Sequence, residues 1–396
     1  MNQKPTDEAY ARAALTYLAE PADRWLGQLI QASSAAAALD AIRTYSDPPG
    51  AVPSPPRGKA RESMRAAMER WRIRLPELPS PEEVLGFRES GIRLVVPGDP
   101  EWPGQLADLG ADQPYALWLR GNADLRFNCL SSVAIVGSRA ATAYGSYVAA
   151  EFAASVAARG LAVVSGGAFG VDAAAHRGAL GADGVTVAVL ACGVDTPYPT
   201  AHAELFDAIA AQGVLVSEWP PGRHVSRLRF LVRNRVIAAL ASGTLVVEAG
   251  QRSGAVNTAR HARDLSRRLM AVPGPITSDL SAGCHQVIRE WQGTLVTSAA
   301  EVIEQLSPVG ASSAAEPVTV VQLAGRRQAP PVLPRDLLDL ESAKVLDAMP
   351  RRGGIGTVRV AQRAGLAPAS TAILLGKLAT GGFVERCDEG WRLRRT

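Results

Sequence analysis

The chain has 396 residues, 47% hydrophobic and 20% charged, enough to bury at least one large core and to form two or three domains. No basic start followed by an apolar run occupies residues 1–21, and nowhere do about 18 apolar residues follow one another, so neither export nor a membrane span is expected and a cytoplasmic protein is the default. The net charge is only +4, so any case for an anionic partner rests on where the arginines fall.

Tyr10 to Thr44 alternates small apolar and polar residues at helical spacing. Asp47 to Pro56, with five prolines, ends that pattern. A second helical stretch, Ala60 to Arg74, runs into another proline-rich piece ending at Pro81, so residues 1–80 read as a small helical domain. From Ser132 to Leu306 short β-branched runs alternate with Ala-rich helical stretches, the pattern of βαβ units in a parallel sheet. Strands are expected at Val133 to Val136, Leu161 to Val164, Val185 to Leu190, Val214 to Val216, Thr244 to Val247 and Leu269 to Val272. Residues 307–334, without periodicity, read as a linker. Beyond them, helices at Leu337 to Met349, Val358 to Ala364 and Pro368 to Ala379 precede a hairpin at Phe383 to Leu393, the order of a winged helix-turn-helix. The four cysteines, Cys129, Cys192, Cys284 and Cys387, make no metal-ligand cluster and are expected as free thiols.

In an open parallel sheet, ligands sit outside the carboxyl ends of the strands, near helix N-termini that favour anions. The loops there carry Gly137-Ser138-Arg139, then Gly166-Gly167-Ala168-Phe169-Gly170, then Cys192 to Pro199, Ser217 to Gly222, and Glu248 to Gly254. They hold glycines, hydroxyls and one arginine and lack the residue sets of common hydrolytic chemistry, so they read as a phosphate cradle with no catalytic residue, cofactor or metal. Any one glycine also fits an ordinary strand-to-helix turn. Neither GxGxxG nor GxxxxGK[ST] is present, and Arg139 would crowd a cofactor pyrophosphate laid on the turn. Asp172 and His176 share a helical face without a third ligand, so they read as a capping Asp and a packed His. Asp195 reads as a turn former.

Between Glu218 and Glu248 there is no acid, yet Arg223, Arg227, Arg229, Arg233 and Arg235 occur with Phe230 among them. A basic strip with an aromatic suits single-strand binding without sequence readout. If four or five phosphates are neutralised, log K against log salt would slope at roughly −3. A solvated helix face is the plain alternative. Phe169 is open between a core plug, a base-stacking ring and a neutral exposed ring.

Together these motifs resemble one family, the DNA-processing proteins DprA/Smf, over about Gly91 to Leu306. The matches include Glu101-Trp102-Pro103-Gly104, Ile135-Val136-Gly137-Ser138-Arg139, Val164-Ser165-Gly166, Val171-Asp172 through His176, Tyr198-Pro199, Phe230 with Arg233-Asn234-Arg235, Val247-Glu248-Ala249, Ser253-Gly254 and Val272-Pro273-Gly274. The resemblance implies an extended Rossmann-like α/β fold that binds single-stranded DNA as a homodimer and helps load the recombinase RecA during natural transformation, without enzymatic activity. By the same carry-over Gly137, Ser138 and Arg139 receive phosphate, Phe230 meets a base, Arg227, Arg233 and Arg235 hold backbone, and Ser253, Gly254 and Asn257 close the far wall. The flanking parts would be a sterile-alpha-motif-like (SAM-like) domain and a winged helix. Gly167, Phe169 and Asn257 depart from the family pattern. Two other readings compete: a nucleotide phosphoribohydrolase of the lysine-decarboxylase-like group, whose PGGxGTxxE is missing, and a partner-binding scaffold without DNA binding.

Overall fold

The computed structural model describes residues 6–46, 59–307, 338–350, 353–387 and 390–394. The chain divides into two compact units between residues 311 and 312. In the first unit, five helices come first: α1 (Asp7–Leu18), α2 (Arg24–Ala32), α3 (Ala35–Thr44), α4 (Lys59–Ile73) and α5 (Pro81–Gly86). Thr6, Asp23 and Ser34 cap the first three by accepting backbone N–H groups at their N-termini, which breaks the one expected helical stretch into three. Leu15, Leu26, Leu29, Ile42 and Trp71 form the centre of this bundle.

A nine-stranded sheet follows, built from β1 (Ile92–Val95), β2 (Leu117–Gly121), β3 (Ser132–Val136), β4 (Ala162–Ser165), β5 (Thr186–Val189), β6 (Val214–Ser217), β7 (Gly243–Val246), β8 (Arg268–Ala271) and β9 (Thr294–Leu295). Its order is β1-β2-β6-β5-β4-β3-β7-β8-β9, parallel from β6 to β9, with β1 and β2 antiparallel at one edge. All six expected strands are present within two residues of their expected ends. The antiparallel pair and β9 are not among the expected strands, because single short apolar runs, such as Leu117-Trp118-Leu119, carry no period of their own.

The connecting helices are α6 (Leu125–Leu130), α7 (Ala143–Ala157), α8 (Val171–Gly181), α9 (Ala203–Gln212), α10 (Arg227–Leu240), α11 (Gly254–Asp264), α12 (Ala282–Glu290) and α13 (Ala299–Leu306). Strand parity sorts them into two layers. Val133 and Ile135 face a cluster with Phe152 of α7 and Ala175 of α8, whereas Ala134 and Val136 face one with Ile237 of α10 and Ala259 of α11. Both faces are therefore covered, which is why the strands read as continuous apolar runs. Successive strands from β3 to β6 step one way across the sheet, and β7 to β9 step the other way from β3. The chain thus reverses direction between β3 and β7, and their carboxyl ends flank a crevice of the kind where open α/β sheets bind ligands.

The helical bundle sits on the β1–β2 edge. Trp118 of β2 is fully buried, donates its Nε1 to Thr16 Oγ1 (3.3 Å) and meets the rings of Tyr17 and Phe87 edge-on. Glu20, just after α1, accepts from both Arg229 Nε (3.0 Å) and Trp219 Nε1 (2.9 Å), tying the bundle to the first turn of α10.

The second unit contains α14 (Leu340–Asp347), α15 (Thr357–Ala364), α16 (Pro368–Thr380) and an antiparallel hairpin of β10 (Val384–Cys387) and β11 (Gly390–Leu393) around Val345, Val360, Leu375 and Val384. The expected linker lies, Ser307 apart, outside the described residues, as do Asp47 to Pro56. All four cysteines are free. Among the described residues no helix is long and apolar enough to cross a membrane.

Candidate nucleic-acid interface

The loop after β3 starts the site. Ser138 donates its backbone N–H to the Glu248 carbonyl across the crevice (2.6 Å), and its hydroxyl accepts from Ala140 (3.1 Å), so the turn is pinned from both sides. Gly137 is packed against Val171 of α8. This fixes the backbone while leaving Arg139 exposed at the crevice mouth. Its guanidinium lies over the Phe230 ring, 4.6 Å from the centroid, a cation–π contact that costs little to exchange for a phosphate.

Glu248, after β7, is buried, and its carboxylate accepts from the Thr142 N–H (2.9 Å) and hydroxyl (2.7 Å) at the N-terminus of α7. It therefore ties two loops together and is not a free base, which removes the support for a phosphoribohydrolase in Gly243 to Glu248. On the far wall Ser253 caps α11 by accepting from Val256 N–H (3.3 Å), and Gly254 is exposed. Asn234 is buried and donates to the Gly254 carbonyl (3.2 Å) and Asn257 Oδ1 (3.1 Å), so Asn234 and Asn257 join α10 to α11.

In the loop after β4, Gly166 lets Arg233 pass beneath it. A Cβ there would lie 2.5 Å from the Arg233 guanidinium and 2.6 Å from Asp172 Oδ2. Gly167 takes a positive φ of 69°, and a Cβ on it would strike the Phe206 ring at 2.6 Å. Phe206 fills the space above which a larger residue would otherwise stand, a local reason for glycine here. Phe169 is 49% exposed, its ring edge-on to His202 at 4.6 Å. The core-plug reading of Phe169 is therefore corrected, since the ring is half exposed and lies against His202.

The cationic strip also needs correction. Arg227 is exposed, but Arg233 and Arg235 are buried at 4% and 3% exposure. Arg235 grips Glu218 through two bonds of 2.6 Å and donates to the Asp112 carbonyl. Burial opposes its charge, yet Glu218 outweighs burial and holds the guanidinium above its ordinary value. Arg233 donates to the carbonyls of Gly166 and Val189, joining the loop after β4 to the end of β5 from below. Burial, with Arg139 nearby, pushes its guanidinium down to about 10, although Asp172 acts the other way. Asp172 itself is buried, and that burial raises its carboxyl despite Arg233 and the Ala168 N–H. Positions 233 and 235 lie about 200° apart around a helix, so the two could not have shared one face with each other.

Comparison with known proteins follows the same lines. A family model described as DNA recombination-mediator protein A matches residues 93–307. The chain belongs to this family. A Mycobacterium tuberculosis chain named DNA processing protein DprA is 40% identical over 401 residues, spanning 99% of this chain and 95% of its own length. Protein Smf of Escherichia coli is 39% identical over 227 residues, 57% of this chain and 60% of its own. The crystal structure of DprA from Streptococcus pneumoniae superposes with a TM-score of 0.59 at 28% identity, covering 77% of this chain and all of that one. The family match, residues 93–307, spans the Gly-Ser-Arg turn, Phe230 and the loops that flank the crevice between β3 and β7.

One residue of the interface carried no role in the sequence reading. Tyr198, in the loop after β5, is 45% exposed with its ring 5.8 Å from that of Phe230. It reads as one half of a Tyr-Pro turn in sequence, and only the fold brings it beside residues 139 and 230. Asp195 in the same loop accepts the Gly222 N–H through both oxygens (3.0 and 2.9 Å), bridging to the loop after β6. His176, on α8, is buried and bonded through Nδ1 to Thr186 Oγ1 (2.7 Å).

Proposed function

We propose that this protein binds single-stranded DNA along the carboxyl edge of its sheet and acts as a recombination mediator, protecting incoming DNA and helping to load RecA in the cytoplasm during natural transformation. The observation that carries the reading is Arg139, an exposed cation on a pinned turn at the strand-order reversal, lying over an aromatic ring. Arg227 supports it. It stands at the N-terminus of α10 with no acid in that turn, where the helix dipole disfavours a cation unless an anion joins it. Arg139 and Arg227 offer charge to phosphates, the rings offer π faces to bases, and no side-chain set on this edge reads base edges in a groove. The protein acts as a homodimer in this reading, with the N-terminal bundle as a SAM-like domain and the second unit as a winged helix that contacts protein or DNA.

A gel-shift with the full chain tests this, comparing a single-stranded oligonucleotide with its duplex. Single strands should bind more tightly and with little sequence preference. Preference for the duplex, or no binding to either, would overturn the reading.

A further inference from the structure

We infer that Tyr198 is a base-stacking platform of this interface, in line with Phe230, and that in the unliganded protein it is the more accessible of the two rings. The inference rests on the single-strand reading above and adds a second aromatic subsite for a nucleobase. Phe230 is partly buried, and one of its faces carries the Arg139 guanidinium at 4.6 Å. Tyr198 is 45% exposed, with no hydrogen-bond partner for its hydroxyl among the described residues. The two rings are 5.8 Å apart and tilted by 52°, too close and too inclined for a base to slide between them. A base therefore stacks on the outer face of Tyr198.

The loop is built to hold the ring in place. Asp195 anchors it to Gly222, Cys192 donates its thiol to the Thr196 carbonyl (3.0 Å), and His202, just beyond it, lies within hydrogen-bond distance of the Gly167 carbonyl (3.1 Å). An exposed aromatic on a braced loop loses little conformational freedom when a ligand stacks on it. The order across the sheet edge gives the path. Tyr198 follows β5, Phe169 follows β4 and Arg139 follows β3, each strand about 4.8 Å from the next. A strand whose phosphate meets Arg139 would thus run toward β5, first past Phe230 and then over Tyr198. Binding would also draw Arg139 off Phe230 onto phosphate and uncover that ring for a neighbouring base.

The test measures Kd of the full chain for a single-stranded oligonucleotide and for an abasic deoxyribose-phosphate strand of the same length. It compares wild type with Tyr198→Phe and Tyr198→Leu, each checked by thermal melting. Leu keeps an apolar packing partner for Phe230 and removes the π face, so the comparison does not depend on a cavity-forming variant folding. Tyr198→Phe should bind like wild type, and Tyr198→Leu should raise Kd about fivefold or more. The salt slope should not change, because no phosphate contact is lost. The abasic strand should bind all three proteins alike. Unchanged binding by Tyr198→Leu, equal loss in Tyr198→Phe, or equal loss toward the abasic strand would overturn the inference while leaving the single-strand reading in place. Failure of the wild type to bind would remove both.

Discussion

Arg139 can swing from the Phe230 ring to a phosphate, whereas Arg235 is locked between Glu218 and a backbone carbonyl with almost no exposed surface. Their substitutions should separate cleanly. Arg139→Ala should weaken single-stranded DNA binding and lessen the salt slope by about 0.7, one single-strand phosphate contact, with an unchanged melting temperature. Arg235→Ala leaves the Glu218 carboxylate buried and unpaired, which costs about 3–5 kcal/mol of stability, so any loss of affinity should track unfolding. A melt run beside a binding titration decides between the two patterns. Reversed behaviour, with Arg139→Ala unstable and Arg235→Ala merely weak in binding, would exchange their roles. Sequence spacing alone identified the Gly-Ser-Arg turn, because glycine, hydroxyl and cation recur at a strand end. It did not separate surface from buried arginines, since each buried one is held by groups distant in the chain: Glu218 and the Asp112 carbonyl for Arg235, and the Gly166 and Val189 carbonyls for Arg233.

Helix α8 and strand β5 meet at His176 and Thr186, and this pair carries a pH dependence. Burial pushes the His176 imidazole down to about 3 from an ordinary 6.5, with Arg233 and His202 adding to the effect. The folded protein keeps the ring neutral while the unfolded chain protonates it below 6.5. Stability is therefore fully present above pH 6.5 and falls by about 1.4 kcal/mol per unit as the pH drops toward 3. Burial also lowers the imidazole of His261, which adds to the same acid loss. The buried Asp172 works in the opposite direction, because its raised carboxyl favours the folded state as it protonates. Urea unfolding of wild type and His176→Gln at pH 7, 6 and 5 isolates the histidine. The variant should lose less stability on acidification than wild type, and parallel curves would show that His176 is not the source. A buried histidine at this place was legible from its helical spacing after Asp172. Its hydroxyl partner was not, because Thr186 belongs to the next strand and faces α8 only once the sheet is assembled.

The order of strands across the whole first unit sets which loops form the edge proposed to bind DNA. Strand positions from β3 to β8 were readable as β-branched runs between Ala-rich helices, since both faces of a parallel sheet are buried. Their lateral order was not readable, and that order brings the loops after β3 and β7 together and sets Tyr198 and Phe169 on the same edge as Arg139. The helical bundle shares this unit and holds Arg229 through Glu20, so Arg229 is engaged before any DNA arrives. With Arg233 and Arg235 buried, the exposed cations along the edge are Arg139, Arg227 and Arg252, the last in the loop after β7. Three phosphates correspond to a salt slope of about −2, shallower than the five-arginine strip would give. The measurement is the affinity of the full chain for a single-stranded oligonucleotide from low to physiological salt. A slope of about −2 is the result expected from this edge, and binding indifferent to salt would contradict it.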